Sequence, residues 1–458
     1  MCRDGRFWSF FQTDSKKRNV FLVFFIYLCM KKTRFFYGTN CILLMLLGWG
    51  ILFNEAVKRE GRREISESVE ITISQTPEKE QDRQEKNQEA VEEDTDNLQE
   101  EPDIRVLLTG TDYRTYEQEQ VSGICGGKAF TCTAADSRVQ DGPLILDGGE
   151  EGITVTSIER QCGNPIYYGK LEIIKNGEKL NLINELPLEK YLEAVVPSEM
   201  PASYEPQALR AQAVCARTYA WKHIQEKGID GYNADVDDSV NYQVYGNVFP
   251  ETSTDQAVKD TFGQIMMKDG EPVEAYYFST SAGITSTDEI WGARKPAAYL
   301  KSVVCDFDRD SPWRSWKTVL PWQKLQEQVR ILFEDDSELM TVEAVKKNES
   351  GAVISLQVTT KKESYEINQE YSIRKFLSPE GCTITEKDGT KIEGPTLLPS
   401  AYFTLKQKKE EGLEITGGGY GHGVGMSQNG ADKMAEQGYT WEEILEYFFN
   451  QVRIETVY

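Results

Sequence analysis

Ser203-Tyr204-Glu205-Pro206, followed by QALRAQAVCARTYAWKHIQEK (Gln207–Lys227), is the stretch on which the fold turns. Ser203 is available as a cap, Pro206 falls in the first turn where its missing N–H is no loss, and Gly228 supplies the stop, so one long helix is expected here. Its Ala208, Ala211, Ala213, Ala216 and Ala220 leave small faces that other elements can approach closely. On both sides the pattern changes to strands. Ile104-Arg105-Val106-Leu107-Leu108 reads as a first strand, and Leu171-Glu172-Ile173-Ile174 with Leu180-Asn181-Leu182-Ile183 around Asn176-Gly177 reads as a hairpin. Between Val319 and Phe403 short apolar runs return, alternating at Ala352–Val358 and punctuated by Asp388-Gly389 and Glu393-Gly394-Pro395. Trp441 to Val452 then reads as a terminal amphipathic helix. The fold class expected is α+β, a mixed β-rich domain over residues 104–458 around a central helix. No internal repeat is visible, which excludes solenoids and propellers.

The 458 residues leave room for about two or three domains. With 74 Asp+Glu against 51 Lys+Arg the formal charge is −23, and the phosphate field of a duplex repels such a chain, so nucleic acid is excluded as a partner. Only two histidines occur, His223 and His422, which excludes a multi-histidine metal site. Near the N-terminus Val20–Met30 is too short to cross a bilayer alone, whereas Phe35–Phe53 is long enough. Met30-Lys31-Lys32-Thr33-Arg34 ahead of that run has the form of a signal anchor's start, so translation is expected to begin at Met30 rather than Met1. Residues 1–34 are then a cytoplasmic segment, residues 35–53 a transmembrane helix, and the rest lies outside the cell membrane. Phe53-Asn54-Glu55-Ala56 is a poor signal-peptidase site, so an uncleaved anchor is favoured over a cleaved signal peptide. Residues 54–103 are an acidic linker, dominated from Glu64 on by Glu, Gln, Asp and Ser, that buries too little apolar surface to fold. Six cysteines follow the span (Cys125, Cys132, Cys162, Cys215, Cys305, Cys382), an even number whose spacing specifies neither a bridge nor a metal finger.

Four dense stretches carry the chemistry: Glu189–Pro201 with its Pro197-Ser198-Glu199-Met200-Pro201, the helix segment Ala208–Tyr219, the run Tyr277-Phe278-Ser279-Thr280-Ser281-Ala282-Gly283, and the glycine-rich Gly417–Ala431. In this order they resemble the stage II sporulation protein D family over roughly residues 104–455. The resemblance implies a membrane-anchored lytic transglycosylase that cuts peptidoglycan glycan strands, preferring strands already stripped of stem peptides, during engulfment of the forespore. It also implies partners: an amidase of the stage II sporulation protein P type and a membrane protein of the M type. The family's catalytic glutamate falls on Glu199 and an arginine of its cleft on Arg217. The Ser311-Pro312-Trp313-Arg314 stretch resembles a family segment near the cleft and points to Arg314 as a substrate contact.

The residues themselves are compatible with that chemistry. A carboxyl on a loop between Pro197 and Pro201, against Val195, Val196 and Met200, has its ionised form disfavoured, which suits a general acid near neutral pH. In the lytic reaction the sugar's own C6 hydroxyl attacks C1, so one carboxyl serves first as acid and then as base, where hydrolysis commonly needs two. Arg217 either holds substrate charge or ties helix to sheet in an ion pair. Ser279, Thr280 and Ser281 offer hydroxyls for sugar binding and lack the surroundings of a serine nucleophile. The glycines of Gly417–Gly430 serve sharp turns or close approach to a ligand, and the stretch has no phosphate-loop Gly-Lys-Ser/Thr. His422 either contacts glycan or caps the turn, Gln428 and Asn429 are amides suited to sugar, and Trp291, Trp313 and Trp316 either line a saccharide groove or belong to the core.

The chain departs from the family pattern at two places. Some members carry Cys and His before the Gln243-Val244-Tyr245-Gly246 stretch and there hold zinc, whereas this chain has Asp235-Val236-Asp237-Asp238-Ser239-Val240-Asn241-Tyr242, and Phe278 replaces the histidine that often opens the Ser-Thr-Ser motif. A metal-free enzyme without cofactor is therefore expected. Two other readings remain open: a glycan-binding module that stimulates a cell-wall amidase, and a hydrolase that recruits Glu205 or Asp235 as a second carboxylate.

Overall fold

The structure, a computed structural model, describes residues 99–226 and 228–458. The expected cytoplasmic segment 1–34, the membrane span 35–53 and the linker up to residue 98 lie outside the described residues. Among the described residues no helix is long and apolar enough to cross a membrane. The helices are α1 (Leu188–Glu199), α2 (Pro206–Gln225), α3 (Thr252–Asp260), α4 (Trp322–Phe333), α5 (Glu370–Phe376), α6 (Gln428–Glu436) and α7 (Trp441–Phe448). With the sheets that surround them they make the mixed α+β fold expected.

Helix α2 is the axis of this arrangement. Its Ala213, Ala216, Ala220 and Trp221 belong to one apolar core and its Ala208, Leu209, Ala211, Val214 and Cys215 to another, so the helix is buried on two sides, with Gln212, Arg217 and Thr218 as buried polar members. Pro206 opens it as expected, but the cap is not Ser203. Glu205 holds that position without a side-chain bond, and its N–H donates to Asp432 Oδ1 of α6 at 2.9 Å. A tertiary contact has taken the place of a local cap.

Against one side of α2 lies a five-stranded sheet in the order Leu144–Asp147, Lys170–Asn176, Lys179–Pro187, Asp103–Leu108, Val236–Asp237. The Asn176-Gly177 hairpin forms, with Asn176 opposite Lys179 and Gly177 at φ 61°. The chain runs from Lys179–Pro187 straight into α1, whose first amides find partners in the segment expected to be linker. Leu188 N–H donates to Pro102 O at 3.0 Å and Glu189 N–H to Glu101 Oε1 at 2.9 Å, while Gln99 N–H donates to Val457 O at 2.8 Å. Residues 99–103 thus belong to the fold, because the orphan amides at a helix start need acceptors and Pro187 offers none.

The second β-rich region has a core of its own, centred on Trp316, Leu325, Val329, Leu356, Phe376 and Ile415. It consists of a five-stranded sheet (Lys391–Glu393, Thr383–Glu386, Trp316–Leu320, Gly412–Gly417, Phe403–Lys408), a three-stranded sheet (Leu339–Lys347, Val353–Thr360, Ser364–Asn368), α4 and α5. In the chain it falls between two short strands, Tyr277–Phe278 and Met426–Ser427, that pair in parallel. The terminal helix ends at Phe448 rather than Val452. Gln451 turns left-handed (φ 55°) and sends Arg453–Thr456 along the strand Gln264–Lys268. All six cysteines of the described residues are free thiols, and strand register sets Cys125 opposite Lys128 and Cys132 opposite Val121, so these two do not face each other.

One buried ion pair holds these parts together. The Arg217 side chain of α2 is fully buried and forks onto Glu189 of α1, Nε to Oε1 at 2.6 Å and Nη2 to Oε2 at 2.7 Å. Its remaining donors reach Val258 O, Thr261 Oγ1 and Gln264 O at 3.1 to 3.3 Å, and the Tyr458 hydroxyl of the C-terminal residue donates to Glu189 Oε1. Removing the cation strands a carboxylate in the interior, so Arg217→Leu is expected to lower stability by about 3–5 kcal/mol, and Arg217→Lys, which cannot make the fork, to recover only part of it. Urea unfolding of the three proteins checks this.

Candidate active site

Glu199 is the last residue of α1 rather than part of a loop. Pro197 lies inside the final turn, where its missing N–H deprives the Glu193 carbonyl of a helical partner, and the helix stops two residues later. A helix C-terminus carries partial negative charge, an unfavourable place for a carboxylate. The side chain is half-buried, and the loss of hydration pushes its pKa up to about 7. From the other direction the Val244 N–H holds Oε1 at 2.6 Å, and this bond and the Tyr277 hydroxyl both favour the anion. Among the described residues no second carboxylate contributes to this shift. Asp235 accepts the Arg105 N–H on the first strand at 2.8 Å, and Glu205 is exposed at the start of α2.

Helix α6 fastens the same spot. Gln428, buried in its first turn, donates from Nε2 to the Glu199 carbonyl and to Gln212 Oε1 of α2, each at 3.2 Å. The expected sugar contact is therefore a clamp on the backbone of Glu199, a role its position beside Ser427 in the chain does not reveal. Asn429 remains half-buried; it donates from Nδ2 to Ser279 O at 3.1 Å and to Thr280 Oγ1 at 3.0 Å, and accepts from the Tyr204 hydroxyl at 2.9 Å. Ser279 is also half-buried, and its hydroxyl meets Thr280 Oγ1 at 3.2 Å.

Several residues expected in the cleft are internal. Arg217 spends its donors inside the protein, at the α1 end occupied by Glu189, which lies about 15 Å along the helix axis from Glu199. It is the ion pair between elements, not a substrate contact. Thr280 is buried, its hydroxyl facing Ser279, Ser311 and Asn429. Ser281 is buried too: its N–H meets Asp308 Oδ2 at 2.6 Å and its hydroxyl donates to Cys305 O at 3.3 Å. Arg314 pairs with Asp306 at 2.6 Å and Asp308 at 3.3 Å and donates to Cys305 O at 2.9 Å. Ser427 Oγ also donates to Asp308, so Asp308 is the post on which the Ser-Thr-Ser run and the glycine-rich stretch are tied. A carboxylate with that many donors leaves Ser281 and Arg314 with a framework role.

His422 receives the Val424 N–H on Nδ1 at 3.1 Å, which puts its proton on Nε2 for the Tyr277 carbonyl at 3.0 Å. Burial lowers its pKa to about 4, so it is a neutral cross-link between the glycine-rich stretch and the Tyr277 strand, half-buried among Tyr276, Phe278 and Trp291. The glycines serve chain packing. A Cβ on Gly425 (φ 78°) would lie 2.1 Å from the Tyr276 carbonyl oxygen, and one on Gly419 (φ 80°) 2.9 Å from Thr280 O. Trp316 is core, with Nε1 on Gly419 O at 2.9 Å, whereas Trp291 and Trp313 are half-buried against His422 and Tyr420.

Among the described residues no group of three or more His, Cys, Asp or Glu is placed to hold a metal ion. The segment where some relatives are expected to bind zinc is closed here by a buried ion pair, Asp238 with Arg160 at 2.6 Å, and by Tyr116 and Ser239 on Asp237 at 2.7 Å.

A family model described as stage II sporulation protein matches residues 176–267, the part that carries α1, α2 and Glu199, and a model described as a domain of unknown function matches residues 296–425. An uncharacterized protein of Brachyspira hyodysenteriae is 33% identical over 307 residues, 67% of this chain and 74% of that protein. Stage II sporulation protein D of Bacillus subtilis is 32% identical over 289 residues, 59% of this chain and 75% of that protein. An amidase enhancer of Bacillus subtilis is 28% identical over 293 residues, 56% of this chain and 39% of that protein. With a matching family model over α1 and α2 and relatives more than 30% identical that it spans to three quarters of their length, the chain belongs to the stage II sporulation protein D family.

The raised Glu199 carboxyl makes a stability test independent of any substrate. Its folded-state pKa lies above the ordinary 4.5, so its contribution is complete below pH 4.5 and is lost as pH rises through 7. Glu199→Gln is thus expected to match the wild type below pH 4.5 and to exceed it by about 2–3 kcal/mol above pH 8, read from denaturation midpoints across that range.

Proposed function

We propose that this protein is a lytic transglycosylase acting on the glycan strands of peptidoglycan, with Glu199 as its acid and base. The observation that carries the reading is a lone carboxyl whose pKa burial raises to about 7, at an accessible position and without a carboxylate partner. Near neutral pH such a group is protonated often enough to donate to the glycosidic oxygen as the bond from muramic C1 breaks. The carboxylate left behind is held by the Val244 amide and the Tyr277 hydroxyl. It then takes the proton of the C6 hydroxyl as that oxygen bonds to C1, closing a 1,6-anhydro ring and restoring the acid. Ser279 and Asn429, both half-buried, are the side chains that would meet sugar hydroxyls. The expected anchor at residues 35–53 would hold this domain on the outer side of the membrane, within reach of the wall, beside an amidase that strips stem peptides and the M-type membrane partner.

A second reading is supported by the likeness to an amidase enhancer: a module that grips glycan and stimulates a separate amidase. Mass spectrometry of ends released from amidase-stripped peptidoglycan separates the two. The expected result is anhydro-muramic ends with the wild type and a loss of at least about a hundredfold with Glu199→Gln, given what a general acid contributes. Reducing ends would show a hydrolase, and uncut strands retained by the protein would show the binding module. A single ionisation also sets the pH profile: kcat/KM should be level below pH 6 and fall tenfold per unit above pH 7, without the acidic limb that a second carboxylate base produces.

A further inference from the structure

A chain of hydrogen bonds that begins two turns earlier on the helix of Glu199 leads to the neighbourhood of its carboxyl. The Tyr191 hydroxyl meets Gln243 Oε1 at 3.2 Å and Gln243 Nε2 meets the Tyr277 hydroxyl at 3.1 Å, and Tyr277 in turn favours the ionised form of Glu199. The direction of this chain follows from its fixed members. Gln243 Nε2 also lies 3.3 Å from the carbonyl of Ala216, which can only accept, so the amide's nitrogen faces Ala216 and Tyr277 and its oxygen faces Tyr191. Tyr191 must therefore donate to Gln243. Tyr277 already accepts from Gln243, and burial keeps its phenol protonated, so its one proton is free for an acceptor on the Glu199 side.

We infer that Tyr191, Gln243 and Tyr277 form a one-way relay whose last member keeps a donor aimed at Glu199, making Tyr277 and Gln243 positioning residues for the acid–base step. This rests on the proposed role of Glu199. The Gln243-Val244-Tyr245-Gly246 stretch acquires a purpose from it. Gln243 aligns the phenol, Val244 supplies the amide on Oε1, and Tyr245 anchors the stretch through its hydroxyl on Asn184 Oδ1 at 2.6 Å. With Oε1 taken by that amide, the acid proton is carried on Oε2. The donors favour the anion, which desolvation alone would leave too basic to part with its proton, and the outcome is an acid poised near neutrality. The titratable groups that face the relay are Tyr191 from α1, Tyr245 packed on its ring, Tyr219 from α2 and Asp237 from the segment before Gln243. Burial raises all three phenols, so none titrates in the range of the test.

Tyr277→Phe removes the hydroxyl and keeps the ring. Loss of a donor to the anion is expected to raise the Glu199 pKa by about one unit, to move the alkaline fall of kcat/KM up by the same amount, and to lower kcat about tenfold with KM unchanged. The activity-free version uses the full-length chain. The pH dependence of the stability difference between Tyr277→Phe and Tyr277→Phe/Glu199→Gln is compared with that between wild type and Glu199→Gln. Each difference reports the Glu199 ionisation in its own background, and the midpoint should lie about one unit higher without the hydroxyl. Gln243→Met, which frees the phenol to rotate, should shift it in the same direction. Coincident midpoints in the two backgrounds would overturn the relay, and a pH-independent loss of stability would assign Tyr277 to packing alone. A shifted midpoint in a protein that releases no anhydro ends would keep the relay and reject the transglycosylase.

Discussion

The arrangement depends on a guanidinium that never meets solvent. Arg217 forks onto Glu189 and spends its other donors on the carbonyls and hydroxyl that follow α3, so one side chain fixes α1, α2, the strand Gln264–Lys268 and, through Tyr458, the chain's last residue. A buried charge tolerates little displacement, because each lost bond leaves a desolvated group without compensation. The pair lies at the start of α1 and Glu199 at its end. Rigidity imposed at one end of the helix is delivered at the other as a defined position for the carboxyl.

Around the carboxyl four segments distant in sequence converge. α1 brings Glu199, the Gln243-Val244 stretch brings an amide and an amide side chain, and the paired strands Tyr277–Phe278 and Met426–Ser427 bring the phenol and, just beyond them, Gln428 and Asn429. Asp308 and His422 bind these strands to their neighbours without reaching the carboxyl. The polar groups of the site thus divide into those that touch Glu199 and those that hold the touching groups still.

Much of this was legible in the sequence and some was not, for reasons that differ by residue. The alanine spacing and Pro206 announce α2 and Asn176-Gly177 announces its hairpin, since each of these signals is local, whereas Glu199 is picked out through the family resemblance and reads as a loop residue although it ends α1. The fate of Arg217 was a choice between substrate and ion pair, and only the packing of α1 against α2 decides it. Ser281 and Arg314 read as ligands because their types suit sugars, yet Asp308 claims both. Tyr277 and Gln243 stood in quoted stretches without a role, because a bond across 34 positions has no signature in either stretch. The cap of α2 and the end of the linker were missed for one reason: Asp432 and Glu101 act from other elements, where a local reading does not look.

The β-rich region inserted between the two short strands has a temporal meaning. Tyr277 pairs with Met426 only after about 150 intervening residues have been made, and such a distant pairing comes late in folding. Until then Glu199 lacks the clamp from Gln428 and its helix lacks Tyr458. The position of the Glu199 carboxyl is therefore completed late, after both short strands have paired. The order of the chain thus ties the proposed reaction to the arrival of the segment that carries Gln428.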